Sequence, residues 1–561
     1  MSKLESKKIF EEGIEYFKKK NFFLAEEKFE KALKLYPNRV SILENLAVIY
    51  FINSRYHKSE DILNRLIKLG NDSIKVFDLK FKVLKKLNKL KELKSYIDSN
   101  LVSKNLDSKY KIIKNFLYPT FFNDQKDIDT TREEFSKSLN YLDSINDIKL
   151  KVDKDFIEPP IFNLSYDQYE SLELNKRIVD IYRKYYPELN QSFVKKNDNE
   201  KIKIGFISEF FTNHTIGKLF QGIIFELDQN KFEIYVFHSE KTNKSTRFKK
   251  FKEAEILKNI KNIILPFEFD EKIKLINKEK LDIVFFPDIG MSTEFYSLSF
   301  IRFAKVQFTS WGHGITTGNE TIDYFLSSEL LETSGVEKRY SEKVILSKYL
   351  PMFFYKPKVL NILPKEELIK KNTYFCSQNL MKVHPHFDEI INKILKGDKK
   401  AKIIFIKDKD EVISKKLFER FKKNIPYDYD RIKFLGKVGV DDYINLCGSS
   451  SVLLDTLYFG AGNSFHESML YGTPTVTLPL DNLKSRIVYG AYKQMKIKNP
   501  PIVSSIDEYV EKAVELANLN EKKMLEIKNY YSKNAQMYLF ENHEAVKDLE
   551  KIFIDINNKS S

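Results

Sequence analysis

The chain has 561 residues and carries 94 Lys and Arg against 79 Asp and Glu, a formal net charge of +15. Hydrophobic residues make up 42% and aromatics 14%, enough for packed cores. That excludes a mostly disordered chain, and at roughly 100–200 residues per domain the length suggests about three domains. Two cysteines, Cys376 and Cys447, exclude a disulfide framework and a cysteine zinc site. Met1-Ser2-Lys3-Leu4-Glu5 lacks the apolar stretch of a signal peptide, and no apolar run approaches the roughly 20 residues of a membrane span. The expectation is a cytoplasmic protein. Its lysines are scattered among acids in short runs such as Lys18-Lys19-Lys20. Without a nucleic-acid-binding motif beside them they read as solvated surface, so no nucleic acid partner is expected.

The first element is a helical repeat. Counted from Ser6, the residues Gly13, Tyr16, Ala25, Phe29, Ala32 and Pro37 fall at positions 8, 11, 20, 24, 27 and 32 of a 34-residue unit. These are the tetratricopeptide signature positions. Small residues let two helices approach, aromatics fill the gap, and the proline stops the second helix. A second unit from Val40 keeps Leu46, Ala47 and Tyr50, with Leu63 and Leu66 later. A third, from Ile74 to about Asp107, is degenerate, with Phe77, Phe81 and Leu84. Such stacks supply a concave face for a protein partner. Residues 1–108 are read as repeats and 109–200 as a helical connector, interrupted at Glu158-Pro159-Pro160-Ile161-Phe162. The polar stretch Lys195 to Glu200 marks a domain boundary.

At Lys201 the period changes to strands alternating with helices. Apolar runs at Ile202–Ser208, Phe232–His238, Asn262–Leu265 and Leu281–Phe286 form one set. Thr373–Cys376, Lys402–Ile406, Ile432–Leu435, Val452–Asp455 and Thr473–Leu478 form another. Each set indicates a parallel, doubly wound α/β lobe, over 201–360 and 361–561, and ligands bind at the strand carboxyl ends of such sheets. Three loops leave these strands: Asp288-Ile-Gly-Met-Ser292 with the glycine-rich Trp311 to Gly318, Tyr374 to Lys382, and Asp455 to Glu467. Lys382 is a cation suited to phosphate oxygens. Gly460 and Gly462 make a tight loop, Asn463-Ser464 begin a helix whose N–H groups favour an anion, and Glu467 one turn on suits ribose hydroxyls. His384 and His386 with Asp388 read as a solvent-exposed loop. The triplets Asp408-Lys-Asp410 and Asp153-Lys-Asp155 read as surface, so no metal is expected.

On Trp311-Gly-His-Gly-Ile-Thr-Thr-Gly318, Ile322-Asp-Tyr-Phe325 and Phe459-Gly-Ala-Gly-Asn-Ser464, the chain resembles the SPINDLY and O-linked N-acetylglucosamine transferase family, in its bacterial repeat-containing branch related to bacterial protein N-glucosyltransferases. The resemblance spans nearly the whole chain. It implies a GT-B fold of two Rossmann-like lobes behind tetratricopeptide repeats. It also implies an inverting glycosyltransferase that needs no cofactor and uses a UDP-sugar donor, carrying GlcNAc or a hexose, on Ser/Thr or Asn of a protein acceptor. His214 matches the cleft histidine, a base or acceptor-orienting group, and Lys382 the lysine that stabilises the leaving diphosphate. Gln378 or Asn379 matches the nearby amide. Tyr443 matches the ring on the uracil, and the Val438 backbone the reader of the base edge. Asn463 and Ser464 match phosphate binders, Glu467 the ribose carboxylate, and Ser292 and His313 loop positions near sugar and acceptor. Gly314 stands where the family has Pro, Asn463 lacks the hydroxyl, and Gly462 replaces a donor-contacting histidine of the eukaryotic enzymes. The rival readings are transfer to a glycan or lipid-linked acceptor, and a non-catalytic peptide-binding scaffold.

Overall fold

In a computed structural model that describes residues 2–101, 108–194, 200–243, 260–409 and 411–560, the repeat period becomes helix pairs. They run Ser2–Lys18 with Phe22–Leu35, Val40–Ile52 with Tyr56–Lys68, and Ile74–Lys86 with Leu90–Leu101. The signature residues lie at the seams. A side chain at Gly13 would start 2.5 Å from a ring carbon of Phe29, so only glycine lets these helices meet. Ala25, Phe29 and Ala32 are fully buried, as are Leu46 and Ala47 of the second unit and Phe77 of the third. The second helix ends at Leu35, just before Pro37. The chain divides into two compact units, Met1–Phe121 with Asp408–Lys416, and Phe122–Lys407 with Leu417–Ser561. The helix Lys109–Phe116 thus falls with the repeats. The boundary expected at Lys195–Asn199 and the end of the third repeat at 102–107 lie outside the described residues, as do 244–259 of the charged stretch after Phe232–His238.

The second unit holds two parallel sheets. The first has the order β3-β2-β1-β4-β5-β6-β7, with β1 Ile202–Ile207, β2 Phe232–Ser239, β3 Lys261–Leu265, β4 Ile283–Phe286, β5 Val306–Ser310, β6 Tyr324–Ser328 and β7 Lys343–Ser347. The second has the order β10-β9-β8-β11-β12, with β8 Lys370–Phe375, β9 Lys402–Ile406, β10 Ile432–Leu435, β11 Ser450–Leu454 and β12 Thr475–Val476. Both sheets reverse strand order beside their first strand, between β1 and β4 and between β8 and β11. These are the switch points where a crevice opens at the carboxyl ends. β5, β6 and β7 are strands that alternation with helices did not reveal. Loops and single 3-10 turns connect them, so no helical period sets them off.

The central strands β4, β5 and β11 are buried along their whole length, as sheets covered on both faces require. In β4 all of Ile283-Val-Phe-Phe286 is buried. The last helix, His543–Ser560, crosses back to the first sheet. Its fully buried Phe553 sets its ring 5.4 Å from that of Phe308, 6.2 Å from Phe285 and 6.4 Å from Phe232, all edge-on. No helix among the described residues is long and apolar enough to cross a membrane. Replacing Phe553 by Ala is expected to cost about 3–5 kcal/mol, because a ring-sized void cannot refill from three fixed neighbours. Scanning calorimetry should show a lower melting temperature for Phe553→Ala and a smaller drop for Phe553→Leu.

Candidate nucleotide-sugar site

The loops leaving β8 and β11 are cross-linked. Residues Leu380–Lys382 form a single 3-10 turn, capped by Asn379, whose side-chain oxygen accepts from the Met381 N–H at 3.1 Å. This turn swings the Lys382 ammonium onto the Gly460 carbonyl at 2.8 Å and over the Phe459 ring at 4.2 Å. Burial pushes the Lys382 pKa down to about 8, against the opposing pull of the Asp455 carboxylate. Asp455 is itself buried and raised to about 6. It accepts from Thr477 Oγ1 at 2.7 Å and from the Ala461 N–H at 2.6 Å. One residue before the capping Asn379, Gln378 is buried and donates from Nε2 to Ser464 Oγ at 2.9 Å. Of the two amides the sequence left open, Gln378 thus faces the 463–464 loop and Asn379 serves its own turn.

Asn463 begins a helix of only six residues, Asn463–Ser468. Its Oδ1 is buried and has no hydrogen-bond partner among the described residues. A side chain at Gly462 would meet nothing within 4 Å, so the position is open. Tyr443 packs on Phe375, with ring centroids 6.0 Å apart, and beside Cys447 and Leu453, and its hydroxyl donates to the Ser377 carbonyl at 3.3 Å. Val438 lies partly buried in the loop after β10. Glu467, expected to face ribose, is ion-paired with Lys218 of the first lobe, and both side chains are nearly buried. That pair ties the helix Thr215–Glu226 to the second lobe.

His214 caps that helix: its Nδ1 accepts from the Ile216 N–H at 3.3 Å, and its ring stacks on Phe210 at 4.5 Å. Burial and the Lys218 charge push its pKa down, so the ring is neutral with its proton on Nε2. At the β1/β4 switch point, Ser292 donates to Glu209 at 2.6 Å and caps its own helix by accepting from the Phe295 N–H. His313 is buried, with Nδ1 3.0 Å from the Ile289 carbonyl and Nε2 unpartnered among the described residues, and burial lowers its pKa to about 4.

One expectation is overturned. His384 and Asp388 are not solvent-exposed. His384 is buried with Nε2 3.0 Å from Gln168 Oε1, and the buried Asp388 takes both a 2.8 Å and a 3.0 Å bond from Arg420. Polar spacing suggested a surface loop, and the partners that make burial tolerable lie distant in the chain. Among the described residues no cluster of three or more His, Cys, Asp or Glu is arranged to hold a metal. The sequence also passed over Asp288, Asp455, Lys218 and Phe459. Asp288 is buried at the first switch point, accepts from Ser208 Oγ at 2.9 Å and is raised to about 7 by burial. Its place directly after β4 was the available signal.

These loops and sheets define a fold of two Rossmann-like lobes, with a helical repeat region earlier in the chain. Residues 168–373 match glycosyl transferase family 41. The chain is 24% identical over 380 residues to a probable UDP-N-acetylglucosamine–peptide N-acetylglucosaminyltransferase SEC of Arabidopsis thaliana, covering 64% of this chain and 37% of that one. It is 26% identical over 259 residues to a UDP-glucose:protein N-beta-glucosyltransferase of Actinobacillus pleuropneumoniae, covering 45% and 40% respectively. It therefore spans about two fifths of the length of these relatives. A solved Thermobaculum terrenum O-GlcNAc transferase mutant superposes with a TM-score of 0.70 at 15% identity, over 100% of this chain and 98% of that one, and has the same fold. The resemblance carried by the loops is thus matched by homologues of those names, and the GT-B architecture by the superposition.

Asp288 gives a test of the burial. Its pKa lies above that of an unfolded carboxyl, so native stability declines as pH rises from about 4 to about 7. Asp288→Asn should remove that decline. The melting-temperature drop between pH 5 and pH 8 is expected to shrink by on the order of 3 °C, read by scanning calorimetry.

Proposed function

We propose that the chain transfers a sugar from a UDP-sugar to Ser/Thr or Asn side chains of proteins, by a single inverting displacement and without a metal. The observation that carries this reading is the cross-linked switch point of the second sheet, where a partly buried Lys382 and a Gln378–Ser464 bridge converge. A cation fixed there meets the charge that builds on the β-phosphate as the anomeric carbon–oxygen bond breaks. Asn463 Oδ1 is an acceptor awaiting a donor, which nucleotide or sugar hydroxyls would supply. Tyr443 and Val438 are assigned to the base, and Glu467 to the ribose once its carboxylate shares or releases Lys218. His214, with its proton on Nε2, orients the acceptor by donation, while Ser292 and His313 line the acceptor side. The family 41 match, and the protein-modifying activities in the names of the relatives, favour a polypeptide acceptor over a glycan or lipid. The helical repeats are assigned to holding that polypeptide. Two buried free thiols suit a reducing cytoplasm.

Lys382→Ala should lower kcat by about 10²–10³-fold while leaving circular dichroism and melting temperature near wild type. Unchanged turnover would remove Lys382 from the reaction. Calorimetry should show UDP binding that weakens as pH rises through about 8, where the lysine sheds its charge. No binding at millimolar UDP would favour a scaffold. Mass spectrometry after incubation with candidate donors should find a hexose or N-acetylhexosamine shift on polypeptide, and glycan-only products would overturn the protein acceptor.

A further inference from the structure

The Pro159-Pro160 interruption in the connector has a structural consequence. It starts a short turn of helix, Ile161–Leu164, that runs into residues 165–168, and this segment touches both lobes. Ile161 packs onto Gly290, which has φ of +96°; a side chain there would start 2.7 Å from Ile161 Cδ1. Phe162 stacks on the His313 ring at 5.5 Å and 23°. Four residues on, Tyr166 meets Phe162 edge-on at 5.5 Å and stacks on Phe459 at 5.3 Å and 19°. Phe459 carries the Lys382 ammonium on its face. An unbroken line of rings therefore runs from His313 through Phe162, Tyr166 and Phe459 to Lys382.

The second half of the segment, residues 165–168, is fastened by buried charge. Lys484, itself buried, donates to the Ser165 carbonyl at 2.6 Å, and its backbone carbonyl accepts from the Gly460 N–H at 2.8 Å. Arg132 holds both oxygens of the fully buried Asp167 at 2.9 Å, and Gln168 reaches His384. Such anchoring exceeds what a spacer between domains needs. It fixes one ring against Phe459, whose backbone sits between Tyr458, a non-glycine residue held at φ of +65°, and Gly460.

We infer that residues 161–168 form a third wall of the nucleotide-sugar site, with Tyr166 a positioning residue that holds the Lys382 ammonium in place through the Phe459 ring. This rests on the reading of Lys382 as the cation for the diphosphate. The ring packs on Phe459, and Phe459 in turn lies against the Lys382 ammonium beside its bond to the Gly460 carbonyl. The ammonium keeps N–H donors not used by that carbonyl, held in place by the ring, and a leaving phosphate is the group that gains from them.

The test uses the full chain and compares Tyr166→Ala, Tyr166→Phe and Phe459→Leu, with UDP affinity by calorimetry and steady-state UDP release. Tyr166→Ala and Phe459→Leu should each lower kcat about tenfold and weaken UDP about as much, with the UDP-sugar KM moving less than about threefold. UDP carries the further negative charge that its β-phosphate gains on leaving, which the intact diphosphate diester of the donor lacks. Tyr166→Phe keeps the ring and should behave as wild type. On a Lys382→Ala background, Tyr166→Ala should add little further loss, because both changes remove one function. If Tyr166→Ala alone lowers the melting temperature, Tyr166→Leu carries the same comparison. Wild-type kcat and UDP affinity in folded ring-deletion variants would overturn the inference alone, as would full additivity with Lys382→Ala. A wild type that binds no UDP would overturn the functional reading and the inference with it.

Discussion

The Lys382 ammonium stays charged out of bulk water only because Asp455 stands close and the Gly460 carbonyl accepts from it, and each of those partners is held by something else. Thr477 at the end of β12 and the Ala461 N–H fix Asp455. The carboxylate also explains the loop's glycine, since a side chain at Gly460 would start 2.9 Å from its oxygens. Sheet, turn and loop thus have to be correct together for one cation to be tolerated. A site built this way is already polarised before any ligand arrives, and that is the condition under which electrostatic stabilisation costs no reorganisation.

Much of this was legible in the residue order. The repeat positions predicted the helical seams because packing at Gly13 and Phe29 is local, one helix against its neighbour. The first strands of each lobe were legible because a continuous apolar run bounded by turn residues is itself a strand signal. β5 to β7 were not, since no helix separates them and their loops carry no period. Within the site, Lys382 and the 460–464 loop could be singled out by standing directly after strands. The partners that decide what they do could not. Glu467 finds Lys218 across 249 residues, and Asp455 finds Thr477 just past another strand. His384 was misjudged for the same reason: its burial is tolerated by Gln168, 216 residues earlier.

The two lobes contribute differently to the cleft. The first offers neutral imidazoles, His214 and His313, both kept uncharged by burial, and a carboxyl at Asp288 that titrates near neutrality. The second offers fixed positive charge. Between them the Lys218–Glu467 pair is a buried contact that joins lobe to lobe, so a group binding at Glu467 acts on the first lobe's helix as well. The connector adds a further boundary of rings, and the cleft is lined by three parts of the chain that lie far apart in sequence.

The helix that carries Phe553 back to the first sheet also bears on how the chain is made. Strands β1 to β4 are complete by Phe286, yet the core around Phe232, Phe285 and Phe308 lacks its closing ring until the ribosome has passed residue 553. The second sheet is complete by Val476. The core of the first sheet therefore closes only after the strands of the second have been made. Until that helix arrives the nascent first lobe carries exposed aromatic surface, and the repeats likewise gain their contact with Val412 only once residue 412 has been made.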